Sequence, residues 1–192
     1  MQFVKNILAI VGLVALVAAA AAFVKLEPAL SGFDPEARAT YAQMAKVLLA
    51  TGNPAEATVW KAQVKDGLSF DDVDQSIKSV ATTMNIKGVG ELPLGDQVAL
   101  MKGTPWRKLK IYLYCNPLTA AKMIDYSDAF SAYLPCRIAL LQDKSGKLWI
   151  YTLNMDMMIY GGKPLPPELK AEALQVKKIM KMILQQGASG DF

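Results

Sequence analysis

The feature that most constrains this chain is an uninterrupted run of 18 apolar or small residues at positions 7–24, bracketed by Lys5 and Lys25. At ~1.5 Å per residue a helix over this run spans ~27 Å, close to the ~30 Å hydrocarbon core of a bilayer. It is apolar all round, unlike a helix that offers one face to a soluble core. Residues 1–25 are therefore expected to form a transmembrane anchor, equivalently an uncleaved signal, with the lipid bilayer as first partner. A cleaved secretory signal is the alternative, because residues 18–22 contain small-residue triplets. Against cleavage, the run exceeds the usual apolar core of ~7–15 residues, and bulky Phe23 and Val24 follow the alanines. A short N-terminus with a lone lysine points to a single-pass inner-membrane protein whose domain faces the periplasm. Ala15 with Ala19, and Ala18 with Ala22, form small-residue faces suited to close helix packing.

The 192 residues include two cysteines and no histidine. The missing histidine removes Ser-His-Asp and Cys-His triads and every His-ligated zinc or copper site. Two cysteines cannot build a four-cysteine zinc site or a disulfide-dense scaffold. The formal charge of +4 overstates the basic character of the domain. Residues 1–25 hold two lysines and no acid, which leaves 19 basic against 17 acidic side chains beyond them. A domain at +2 gives no reason to expect nucleic-acid binding, which needs a clustered basic face.

The remainder divides into a linker with an amphipathic helix (26–56), an α+β domain (57–187) and a short tail (188–192). Asp34-Pro35-Glu36 is a helix start, with Asp as cap and Pro at the first helical position. Ala37, Tyr41, Met44, Ala45 and Leu48 follow at helical spacing, and Gly52-Asn53-Pro54 ends that helix. A strand is predicted over 58–64. Ser69 then caps a helix with Val73, Ile77, Val80 and Met84 on one face, and Asp71, Asp72 and Asp74 lie in its solvated first turn. A weaker strand covers 86–94, with Gly88 and Gly90 marking an irregularity, and one or two helical turns cover 96–102. Residues 107–114 alternate as a half-buried strand, with Leu109, Ile111 and Leu113 on one side and Lys108, Lys110, Tyr112 and Tyr114 exposed on the other. A helix from Asn116 to about Tyr133, a hairpin over 136–153 and a final helix stopped by Gly187 complete the order. The expected fold class is α+β, a ferredoxin-like or related antiparallel sheet with helices on one face, plus the transmembrane helix.

The cysteines carry the only candidate chemistry. Cys115 ends a strand directly before Asn116-Pro117, the cap and first residue of a helix, where the dipole favours a thiolate. Cys136 follows Leu134-Pro135 and opens the next strand. Burial as small hydrophobes is the competing explanation for both. The segment Tyr114-Cys115-Asn116-Pro117, a helix with small Ala120 and Ala121, then Leu134-Pro135-Cys136-Arg137 and a hairpin resembles the bacterial and archaeal family catalogued as domain of unknown function 302. The resemblance covers roughly residues 58–160. It implies a compact α+β fold, often single-domain and sometimes a homodimer, and no established activity. The candidate binding or redox residues are Cys115, Asn116, Pro117, Pro135 and Cys136.

If residues 117–133 form one continuous helix, the flanking strands run parallel and the two cysteines lie at opposite sheet edges. A disulfide needs Cα atoms within ~7 Å and is not expected on that arrangement. A helix broken near residues 125–128 would bring both to one edge. Met155, Met157 and Met158 cluster after the last strand and are soft donors of the kind Cu(I) prefers. They form no recognised motif, and methionine commonly fills core gaps, so no metal and no cofactor is expected. The leading functional expectation is a non-catalytic, membrane-anchored binding or accessory module. The alternatives are a thiol redox or sulfur-carrier protein, with Cys115 as attacking thiolate and Cys136 as resolving thiol, and a structural subunit of a membrane protein complex.

Overall fold

A computed structural model of the chain describes residues 2–191. The N-terminal run is one helix, α1 (Gln2–Leu30), with Pro28 inside its last turn. The window Phe3–Ala22 has a mean hydropathy of 2.3 and no part of it is buried. It is long and apolar enough to cross a membrane, a property that an anchor and a signal sequence share. The predicted linker from residue 26 is thereby shortened, because Pro28 is tolerated so close to the helix end. Ser31 closes α1 by donating to the Pro28 carbonyl at 2.9 Å.

Asp34 does more than begin a helix. Its carboxylate accepts the Glu36 N–H at 3.0 Å and pairs with Lys170. Its own N–H donates to the Gly162 carbonyl at 2.8 Å. The following helix, α2 (Ala37–Thr51), starts two residues later than predicted, with no side-chain cap. Tyr41 fastens it further by donating to the Gly161 carbonyl at 2.6 Å. The rest of its apolar stripe is little used, since Tyr41, Leu48 and Leu49 remain exposed. Gly52 ends α2 at φ 64°, a left-handed conformation that glycine adopts without strain. Asn53 then caps the short α3 (Pro54–Ala57).

Five strands follow: β1 (Val59–Gln63), β2 (Lys87–Leu92), β3 (Leu109–Cys115), β4 (Cys136–Gln142) and β5 (Leu148–Leu153). They form one fully antiparallel sheet in the order β1-β5-β4-β3-β2. The ferredoxin-like arrangement is not formed. Instead β2 to β5 make a meander with helical insertions, and β1 adds at the far edge. A register shift between Gly88 and Gly90 is the strand irregularity that the two glycines predict. Helix α4 (Phe70–Thr83) links β1 to β2 across the sheet. It begins with a full capping box, in which Ser69 and Asp72 satisfy each other's backbone N–H groups. Helix α5 (Leu94–Lys102) lies at the start of β3, and α6 (Pro117–Tyr126) follows its end. Helix α7 (Asp156–Tyr160) leaves β5, and α8 (Pro167–Ser189) closes the chain.

The buried sheet face carries Tyr112, Ile138, Leu140 and Ile150, and it packs on Val73 and Ile77 of α4 and on Met180 and Ile183 of α8. The facing of β3 is the reverse of the prediction. Tyr112 and Tyr114 are only 1% and 5% exposed, while Leu109, Ile111 and Leu113 lie half-buried on the open face. The reason is amphipathic reach: the tyrosine rings add apolar area while the Tyr112 hydroxyl finds a partner. Tyr112 donates to the Asp74 carboxylate, and Lys110 bridges Asp74 at 2.7 Å and Glu91 at 2.6 Å. Asp74 is thus a structural anchor and not a solvated first-turn acid.

Gly187 does not stop α8, which runs on to Ser189 and ends at Gly190 with φ 76°. Gly187 is instead a contact point, where an added Cβ would lie 3.0 Å from both Ile150 Cδ1 and Ile77 Cγ1. Gly187→Val is expected to destabilise the domain by about 1–3 kcal/mol through overpacking, measured by chemical denaturation. The Asp34 clamp gives a second test. Burial alone would raise the Asp34 pKa, but the Lys170 ammonium and the Glu36 N–H outweigh it and hold the carboxyl below its ordinary value. The clamp is therefore fully present above the ordinary carboxylate range and is lost as pH falls through the lowered pKa. Asp34→Ala is expected to release α2 at neutral pH, read as several-fold faster tryptic cleavage after exposed Arg38.

Candidate functional site

The strand directions bring one end of the sheet together. The start of β1, the end of β5, the start of β4 and the end of β3 share it, as the pairs Val59↔Leu153 and Tyr114↔Cys136 show. Cys115 and Cys136 therefore lie at the same edge, contrary to the expectation from a continuous helix. Residues 117–133 split into α6 and a 3-10 helix (Asp128–Tyr133), with Ser127 extended between them at φ −162°. Asp125, Ser127 and Asp128 are poor helix-interior residues that favour caps and turns. The Tyr126–Phe130 contact, with ring centroids 6.2 Å apart, crosses the break, and Phe130 packs on Tyr133 at 6.3 Å within the 3-10 helix. The chain then enters β4 through a cis Leu134–Pro135 bond.

Asn116 and Pro117 occupy the predicted cap and first helical positions. The Asn116 side chain accepts the Thr119 N–H at 3.2 Å. Thr119 in turn donates its hydroxyl to Glu172 of α8 at 2.9 Å, and Lys122 pairs with the same carboxylate. This clamp fixes α6 against α8. On the other side Asp156 of α7 pairs with Lys177 of α8. Desolvation would lower the Lys177 pKa, but the Asp156 carboxylate more than reverses it and keeps the ammonium charged.

Between these clamps lies a small apolar cavity of about 30 Å³. Cys115, Cys136, Met123, Met155 and Met158 line it, with Phe130, Leu134 and Ala173 completing much of the wall. Two larger clefts adjoin it. One of about 220 Å³ is lined by Tyr133, Pro135, Cys136, Tyr151, Met155 and Met158. The other, of about 230 Å³, is lined by Met44 of α2, Tyr133, Leu153, Met157 and Met158. Met158 is common to all three. The predicted residues Cys115, Asn116, Pro135 and Cys136 thus border one continuous apolar region, while Pro117 contributes only the helix start. Met123, Tyr133 and Thr119 escape sequence reading, because nothing local distinguishes a cavity wall from ordinary core.

Both cysteines are free thiols. Burial pushes the Cys115 thiol up from its ordinary value. Burial, with Cys115 beside it, pushes Cys136 up to about 11. The helix dipole does not deliver the expected reactive thiolate. The cap position is already filled by the Asn116 side chain, and burial outweighs the one backbone hydrogen bond that favours the Cys136 thiolate. Alkylation by iodoacetamide at pH 7 is expected to be slow for both cysteines. Its rate should go on rising with pH past the point where that of an ordinary thiol levels off, and further for Cys136 than for Cys115, with single Cys→Ser variants separating the two.

Comparison with known proteins agrees with this architecture. A curated relative, an uncharacterized protein of Aquifex aeolicus (strain VF5), is 24% identical over 136 residues, which span 70% of this chain and 88% of that protein. Among solved structures, the crystal structure of an uncharacterized conserved DUF302 protein from Bacillus stearothermophilus superposes with a TM-score of 0.53 at 17% identity, covering 67% of this chain and 97% of that one. At that identity the likeness establishes the fold alone. The sequence profile of domain of unknown function DUF302 matches residues 60–187, two thirds of the chain, and the protein belongs to that family.

Proposed function

We infer that the protein is a membrane-tethered, non-catalytic binding module whose ligand occupies the apolar clefts at the Cys115–Cys136 end of the sheet. The observation that carries this reading is the position of those clefts. Asp34, Tyr41 and Met44 join the N-terminal segment to the domain at Gly161, Gly162 and Met157, at the same end. With α1 in the inner membrane and the domain on its periplasmic side, the clefts open close to the lipid surface. Apolar walls with a few polar groups at the rim are the usual character of small-ligand sites.

The redox and sulfur-carrier reading receives support from the shared edge of the two cysteines. It is opposed by their raised pKa values, since the thiolate is the nucleophile in exchange chemistry. A structural-subunit role draws support from the exposed Leu48 and Leu49 of α2. The clefts favour the binding reading over both.

The test uses the full chain in lipid nanodiscs, labelled at the methionine methyl groups and titrated with benzene, a probe that apolar protein cavities accept. The Met155 and Met158 resonances are expected to shift saturably while that of exposed Met101 does not. A uniform drift of all methionines, or no shift, would overturn the reading.

A further inference from the structure

Five sulfur side chains converge on the smallest of the three cavities, and they come from separate parts of the chain. Cys115 ends β3, Met123 lies on α6, Cys136 opens β4, and Met155 and Met158 flank and enter α7. Methionine used as filler has no need to meet other sulfurs. Here the remaining wall offers no competing donor. Asn116 and Thr119 are the polar residues on it, and both are engaged, Asn116 with the Thr119 N–H and Thr119 with Glu172. A water molecule would find too few partners. Among the described residues no group of three His, Cys, Asp or Glu side chains forms, so zinc, calcium and magnesium lack their ligand sets.

We propose that this sulfur-lined cavity binds a single Cu(I) ion through one cysteine thiolate and the thioethers of Met155 and Met158, with Met123 and the second cysteine within the same shell. Thiolate and thioether are the donors that select Cu(I). The charge balance fits the wall: Cu(I) displaces the proton of one thiol to solvent, a Cu–S bond forms, and the complex is neutral. No electron is transferred. A divalent ion on the same single thiolate would leave a net positive charge in an apolar setting, which is costly. The cavity of about 30 Å³ has room for one ion and no chelating cofactor. The adjoining cleft shares Cys136, Met155 and Met158 and supplies the entry path. This inference rests on the binding reading above and adds a metal subsite at the inner end of the same apolar region.

The experiment is anaerobic competition for Cu(I) between the full chain in nanodiscs and the chromogenic chelator bicinchoninate. The expected result is one equivalent withdrawn, with an X-ray absorption spectrum showing sulfur-only coordination. Loss of an outer-shell group alone costs metal sites about 10–100-fold, so Met155→Leu with Met158→Leu, and at least one of Cys115→Ser and Cys136→Ser, should weaken binding at least about tenfold. Leucine preserves volume, and a benzene response retained in the double leucine variant at other cavity methyls would show that the fold survives. Failure to withdraw Cu(I), or unchanged affinity in the double leucine variant, overturns the copper assignment. Benzene binding without copper binding leaves the module reading standing, whereas loss of both in the wild-type chain defeats the two together.

Discussion

The return of the chain between β3 and β4 controls the arrangement of everything else at the sulfur-lined edge. Had residues 117–133 formed one helix, β3 and β4 would run parallel and the two cysteines would be separated by the length of the sheet. The extended Ser127 and the 3-10 turn after it reverse the path within a few residues, and Tyr114 comes to face Cys136. Antiparallel pairing at this point propagates. It turns β2 to β5 into a meander, leaves β1 to pair beyond β5, and sends α7 and the α2 attachment to the end where the cysteines lie. No single contact at this edge is strong. What fixes it is the combination of a ladder of backbone hydrogen bonds with two helix clamps, Glu172 on Thr119 and Lys122, and Lys177 on Asp156.

Those elements whose signals are local were legible in the sequence. The capping box at Ser69, the left-handed Gly52 and the apolar stripe of α8 each follow from residues within a few positions of one another. The errors share a different cause. The facing of β3 turned on whether the Tyr112 hydroxyl and the Lys110 ammonium could reach Asp74, a residue 36 to 38 positions away. Gly187 looked like a terminator because glycine often is one, yet its role is set by Ile77 and Ile150 across the helix–sheet contact. The break at Ser127 is accompanied by Tyr126–Phe130 packing across it, which length arithmetic does not see. Cys115, Asn116, Pro135 and Cys136 could be marked from their motif, but the edge they occupy was a property of topology.

The N-terminal segment joins the domain by an unusual form of attachment for so short a connection. Asp34 is buried, and its charge is met by one ammonium and one backbone N–H. A buried carboxylate is weak evidence for added stability, because desolvation offsets much of the pairing. Its value here is orientation: one residue fixes where the helix that follows α1 leaves the domain. That point is Gly162, four residues beyond Met158, so the N-terminal segment and the clefts are coupled through a single short stretch of chain.

The chemistry of the edge follows from the same burial. A thiol at a helix start would ordinarily be a candidate nucleophile, but the apolar wall reverses the sign of the effect by penalising the charged form. In such a setting a thiolate is stable only when a cation enters with it. A hard or divalent ion brings charge that one thiolate does not cancel and calls for oxygen, imidazole or several thiolate ligands, and this chain has no histidine and two cysteines. A soft monovalent ion makes the opposite demand: it tolerates thioether donors, needs one thiolate for neutrality, and loses little by leaving water. The burial that argues against exchange chemistry at Cys115 and Cys136 is thus compatible with a cation that leaves the site neutral, while the raised thiol pKa values set a proton-competition cost on binding it. The proton released when the thiol binds Cu(I) makes occupancy fall as pH falls.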